Sequence, residues 1–199
     1  MNSVIEKINS HPVILASQSP RRKSLLNQLG IKFTVKTADI DEDNHNFPYD
    51  PVEMVKFLSI EKGKVIHSRF PESLIIAADT TVALKGQILN KPADENHAFR
   101  MLSLLSGNTH KVYTGYSIFI PGKPEIITEV VETEVTFNEL TDEEIWAYIK
   151  SGSPMDKAGS YGIQDDFGAV FIRNISGDFY NVVGFPIQHF YQTMKEILM

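Results

Sequence analysis

The chain contains no cysteine, which excludes disulfides, thiolate zinc sites and a cysteine nucleophile. A reducing compartment is compatible with that absence. Positive charge is also scarce: 19 lysines and arginines face 25 acidic residues, for a net charge of −6, so the broad cationic surface needed by a general nucleic-acid or membrane-surface binder is missing. No apolar run approaches the roughly 20 residues that span a bilayer, and no basic region followed by an apolar stretch reads as a targeting signal. No composition shift marks a linker, and neither a repeat nor a low-complexity tract interrupts the pattern. The expectation is a cytoplasmic protein without membrane or nucleic-acid partners. It is read as one domain over residues 1–199, because that length with 42% hydrophobic content sustains a real core.

What is present is organised around residues 13–26. There the apolar run Val13-Ile14-Leu15-Ala16 becomes the polar turn Ser17-Gln18-Ser19 and then a helix over 20–29. Ser19 reads as the N-cap and Pro20 as the first helical residue, since a hydroxyl accepts an orphan amide and proline needs no donor there. Gly30 stops the helix. Arg21 and Arg22 in the first turn are anomalous, because the positive end of the helix dipole repels cations. At about 100° per residue, Arg22 lies near the middle of the Leu25, Leu26, Leu29 stripe and faces inward. A phosphate would satisfy the helix amides, the serine hydroxyls and the guanidinium forks together. The plainer alternative is a surface helix start with two solvated arginines.

Further along, Phe33-Thr34-Val35 reads as a second strand, followed by an acidic loop with Asp39, Asp41, Glu42 and Asp43. A helix over 52–67 carries Val55, Leu58, Val65 and Ile66 on one stripe, with Lys62 inside it. A lysine on such a face either snorkels or meets an anion in a cleft. Leu74-Ile75-Ile76-Ala77-Ala78 reads as a strand buried on both faces, with Asp79 and Thr80 at its end, where open α/β sheets place ligands. Residues 82–84 and 88–89 flank Lys85-Gly86-Gln87 as a hairpin. A helix over 94–105 is closed by Gly107. Strands over 112–120 and 126–137 form an antiparallel pair turned at Pro121-Gly122, and Thr141 with Glu144 makes a capping box for the next helix. Trp146 on that helix reads as core. Residues 168–172 and 179–183 read as strands joined at Gly177, and a last helix starts near residue 187. The class is α/β, a mixed twisted sheet with flanking helices.

Basic residues at a helix start, a lysine inside an apolar stripe, a strand-end aspartate and an acidic loop suit polyphosphate hydrolysis. Cations hold charge that would repel a nucleophile, and a carboxylate orients or deprotonates water. Oxygen ligands from Asp41 or Glu42 favour Mg²⁺ or Mn²⁺ over zinc. A simply solvated acidic loop is the alternative.

In order along the chain, Ser17-Gln18-Ser19-Pro20-Arg21-Arg22, Asp41-Glu42, residues 58–62, Ala78-Asp79-Thr80, Lys91-Pro92, Lys157-Ala158-Gly159, Gly162-Ile163-Gln164 and Asn181-Val182-Val183-Gly184 resemble the Maf family of nucleoside triphosphate pyrophosphatases. The resemblance implies two lobes around a central cleft, as in the inosine triphosphatase-like fold, and cleavage between the α and β phosphates to a monophosphate and pyrophosphate. It implies Asp79 as general base, Ser17, Arg21, Lys62 and Lys91 as phosphate holders, and Glu42 as a ligand to a divalent cation. Arg22, Thr80 and Gln164 stand where the family's branches differ in substrate. Asp79-Thr80 with Gly162-Ile163-Gln164 is similar to the branch acting on dTTP and UTP, and an uncharged amide such as Gln164 can both donate to and accept from a uracil or thymine edge. The branch preferring 7-methyl-GTP typically has glutamine after the aspartate and glutamate at the place of Gln164. The resemblance also implies a homodimer. Two alternatives are a house-cleaning pyrophosphatase for modified nucleotides and a nucleotide-sensing regulator of septum formation. Local departures are Asp165-Asp166-Phe167 where a glycine is usual, Asn90 for glycine, and Ser59 and Gly63 for alanines beside Lys62.

Overall fold

The structure is a computed structural model and describes residues 3–38, 40, 50–164 and 166–199. Among these, seven strands form one mixed sheet: β1 (Val13–Leu15), β2 (Thr34–Val35), β3 (Leu74–Leu84), β4 (Gln87–Leu89), β5 (Thr109–Phe119), β6 (Ile126–Phe137) and β7 (Ile172–Ser176). Their order is β2-β1-β3-β5-β6-β7, with β4 also paired to β3. The helices are α1 (Ser3–Asn9), α2 (Pro20–Gln28), α3 (Pro51–His67), α4 (Glu95–Leu105), α5 (Asp142–Lys150), α6 (Phe179–Val183) and α7 (Ile187–Leu198). The expected mixed sheet with flanking helices is what forms.

The central strand β3 is bordered differently on its two edges. On one, β5 pairs with it antiparallel from Ile75↔Phe119 to Ala83↔Lys111. On the other, β1 runs parallel beside Leu74–Ile76 and β4 folds back on Val82–Leu84, so that on this edge residues 77–81 have no strand partner among the described residues. Successive side chains of β3 alternate between the faces of the sheet. Ile75 and Ala77 pack with Ile66 of α3 and with Phe119. Leu74, Ile76 and Ala78 pack on the opposite face with Leu25 and Leu26 of α2 and with Phe185 and Phe190. A second core, in which Val82, Leu84 and Leu89 meet Leu102 of α4 and Ile149 of α5, builds the other lobe.

Two glycines let α3 lie flush on its face of the sheet. A Cβ on Gly115 would lie 2.5 Å from the Val55 carbonyl oxygen, and one on Gly63 would run into the Phe119 ring. The helix backbone therefore approaches β5 more closely than any side chain at those positions would permit.

Several expectations change. Asp79 and Thr80 do not end a strand. They lie in the middle of β3, because β5 supplies backbone partners for residues 79–83 that no local pattern announces. Residues 168–172 are not a strand either: a 3-10 turn occupies Asp166–Ala169, and the strand runs over Ile172–Ser176. Residues 179–183 form α6 instead of a strand. Asp178 accepts from the amides of Tyr180 and Asn181 and so caps a helix, which overrides the strand preference of an aromatic and β-branched run. Helix α1 occupies a stretch to which the sequence reading assigned no element.

Candidate active site

The site forms at the stretch of β3 that lies between its pairings with β1 and β4. Asp79 projects toward α3, and its Oδ1 accepts a hydrogen bond from Lys62 Nζ at 2.6 Å. The two side chains are only 12% and 13% exposed, so the ion pair is shielded and its geometry is restrained by packing. The lysine in the apolar stripe is thereby explained: it meets an anion. Among the described residues the other carboxylate oxygen, Oδ2, has no hydrogen-bond partner.

Thr80, the next residue, projects from the opposite face. Its Oγ1 accepts from Arg22 Nη2 at 2.9 Å. Arg22 also donates through Nε to the Gly184 carbonyl at 2.9 Å and through Nη1 to Ser17 Oγ at 3.2 Å. Ser19 caps α2 as expected, its Oγ accepting from the Arg22 amide, and Pro20 stands at the start of the helix. The Arg22 guanidinium is held by neutral protein oxygens. They come from three segments and fix the guanidinium as part of the wall.

Arg21 turns toward the second lobe, where its Nη1 donates to Asp156 Oδ2 at 3.0 Å. Asp156 Oδ1 accepts from the buried Lys157 ammonium at 2.8 Å. Partial burial pushes the Asp156 carboxyl up, but Lys157 and Arg21 outweigh it and hold the group below its usual range. Sequence reasoning missed this carboxylate. The only available signal was its place beside Lys157-Ala158-Gly159, and a fully local reading leaves it a solvated loop acid.

One cavity of about 790 Å³ joins these parts. Ser17, Arg21, Arg22, Lys62, Asp79, Thr80, Lys91 and Gln164 all line it, as do Asp156 and Lys157. Lys91 and Gln164 stand exposed. The structure thus brings together every predicted site residue that it describes. Glu42, with Asp39, Asp41 and Asp43 of the acidic loop, lies outside the described residues, as does Asp165. No group of three or more metal-ligating side chains occurs among the described residues. The described acidic wall consists of Asp79 and Asp156, hard oxygen donors of the kind that Mg²⁺ takes together with phosphate and water oxygens.

The chain matches the Maf-like protein family over residues 12–197. It belongs to the Maf family. Among its relatives, the dTTP/UTP pyrophosphatase of Salinibacter ruber is 44% identical over 186 residues, spanning 94% of this chain and 91% of that protein. The dTTP/UTP pyrophosphatase of Phocaeicola vulgatus is 44% identical over 195 residues, spanning 98% and 100%. The solved HAM1 protein of Coxiella burnetii overlays 94% of this Maf chain and 99% of its own with a TM-score of 0.46 at 13% identity, a likeness too remote to bear on the site. No described helix of the Maf chain is long and apolar enough to cross a membrane.

Proposed function

We propose that this Maf-family protein hydrolyses dTTP and UTP between the α and β phosphates, releasing the monophosphate and pyrophosphate. The observation that carries the reading is the shielded Lys62–Asp79 pair on a cavity that also collects Arg21, Lys91 and Lys157. Near full-length similarity to dTTP/UTP pyrophosphatases supports the choice of nucleotide.

In this reading Asp79 is the general base. Its Oδ1 is held by Lys62, so Oδ2 is the atom that accepts the proton of the attacking water. The bond from the water oxygen to phosphorus forms as the bridging P–O bond breaks, and pyrophosphate leaves. The Lys62 ammonium has three donors, so it can keep Asp79 oriented and still reach a phosphate oxygen. Arg21, Lys91 and the hydroxyl of Ser17 hold the remaining phosphates, where fixed cations stabilise developing charge. Arg22, Thr80 and Gln164 read the base.

A divalent cation, Mg²⁺ or Mn²⁺, would be held by Glu42, on the family resemblance alone, together with phosphate oxygens. When bound it would neutralise phosphate charge. Glu42→Gln should weaken Mn²⁺ binding followed by electron paramagnetic resonance, a readout independent of turnover. The reading also includes a homodimer in the cytoplasm, as the resemblance implies; light scattering tests the first and cell fractionation the second.

The deciding experiment is a panel of nucleoside triphosphates assayed for monophosphate and pyrophosphate with wild type and Asp79→Asn. Wild type should favour dTTP and UTP, while Asp79→Asn binds UTP and scarcely turns it over. Wild-type-like turnover by Asp79→Asn would remove it from the mechanism, and release of free phosphate alone would refute the cleavage position.

A further inference from the structure

The residues assigned to the base come from segments far apart in sequence: Arg22 and Thr80 on one side, and the loop carrying Gln164 on the other. Behind both runs a single strand. His110, Val112 and Thr114 of β5 alternate with Lys111 and Tyr113, which belong to the other face, and so project from one face, about 7 Å apart at successive positions. Each is fully or nearly fully buried, and each bonds Thr80 or a segment that carries or supports another member of the base-reading set.

Thr114 Oγ1 lies 2.9 Å from Thr80 Oγ1, directly across the β3–β5 ladder in the Thr80↔Thr114 pair. The Val112 carbonyl accepts from Asn181 Nδ2 at 3.1 Å. Asn181 belongs to α6, whose closing residue Gly184 presents the carbonyl that takes Arg22 Nε. His110 Nε2 lies 2.8 Å from the Tyr161 hydroxyl, three residues before Gln164. The same loop is pinned next door, where the Gly162 amide donates to the Tyr148 hydroxyl at 3.1 Å.

His110 is a costly choice for its place. Its ring meets Phe137 and Tyr161 edge-on, its Nδ1 is buried with no hydrogen-bond partner among the described residues, and burial lowers its pKa to about 4. An aromatic hydrocarbon would fill the same apolar space without leaving a polar atom unsatisfied. What the imidazole adds there is a directed bond to Tyr161.

We propose that His110 and Thr114 are positioning residues for base selection, with β5 acting as a ruler that fixes the distance between the Arg22–Thr80 pair and the Gln164 loop. Neither residue touches the base. The proposal rests on reading Arg22, Thr80 and Gln164 as the base-reading set. Asp79 and Lys62 lie on the opposite face of the sheet, and His110 and Thr114 bond Tyr161, Thr80 and the Asn181 carbonyl, none of which is assigned to a phosphate, so the ruler acts on base choice ahead of phosphate binding.

The test uses His110→Phe and Thr114→Val, with His110→Gln and Thr114→Ser as conservative partners, in the full chain. Three quantities are read: the UTP:GTP ratio of kcat/KM, the inhibition constant of inorganic pyrophosphate, and calorimetric affinities for UMP and GMP. The UTP:GTP and UMP:GMP ratios should fall roughly tenfold in His110→Phe and Thr114→Val, with the pyrophosphate constant unchanged and the conservative variants near wild type. Unchanged ratios in the folded variants, or a parallel loss for both nucleotides and pyrophosphate, would overturn the proposal. If added bulk prevents folding, Tyr161→Phe and Thr114→Ala delete the same contacts without adding atoms and are judged by the same ratios. A wild type that hydrolyses no triphosphate would refute the proposed activity, while the UMP:GMP affinities would still decide whether β5 sets base choice.

Discussion

The ring of Phe119 occupies the space in which a side chain at Gly63 would begin: a Cβ there would run into the ring carbon Cε2. The glycine and the phenylalanine are a matched pair, and Gly63 directly follows the lysine that holds Asp79. Gly63→Ala gains about 1 kcal/mol of helix propensity but overpacks the contact by about 1–3 kcal/mol. We expect a net loss of about 1 kcal/mol in urea denaturation. Adding Phe119→Leu should recover that loss.

Lys62→Met should affect both stability and chemistry. It leaves the Asp79 carboxylate shielded and without its cation, at a cost of about 3 kcal/mol, and should lower turnover on the order of 100-fold or more. In Lys62→Met combined with Asp79→Asn the buried charge is gone. Denaturation should return toward wild type while pyrophosphate release stays absent.

His110 makes stability depend on pH in a defined window. The unfolded chain takes up a proton on this imidazole near pH 6.5, whereas the folded chain resists until about pH 4. Between those values the unfolded state binds more protons, so stability falls as pH falls. The contribution lost approaches about 3 kcal/mol. Denaturation curves from pH 7 to pH 4 should show it, and His110→Phe should remove that part of the slope.

Gln164→Glu places a carboxylate on an exposed rim position. Stability should change by less than about 0.5 kcal/mol, whereas the order of preferred triphosphates should shift away from dTTP and UTP. An unchanged ranking across the panel would exclude Gln164 from base reading.

Much of this arrangement was legible in the residues. Ser19 and Pro20 fixed the start of α2 by capping chemistry alone, Thr141 and Glu144 did the same for α5, and the Pro121-Gly122 turn between alternating runs located β5 and β6. Lys62 stood out because an ammonium within an apolar stripe either snorkels or meets an anion. Other features were hidden by their nature. That β3 continues through Asp79 depends on β5, about 35 residues later, and the capture of Arg22 by Gly184 depends on a carbonyl 162 residues away. The helix at residues 179–183 hinges on one capping carboxylate overruling five residues of strand-like composition. Long-range partners of this kind leave no periodic trace.

Asp79 and Thr80 are consecutive, and the peptide plane between them divides two tasks. One side chain meets Lys62, the other Arg22, with the sheet as a partition. On the proposed roles, substitutions around Thr80 would retune which nucleotide enters without disturbing the group that activates water, so a lineage could change its diet while keeping its blade. Such separability would let one scaffold diversify in substrate by a few changes on a single side of the sheet.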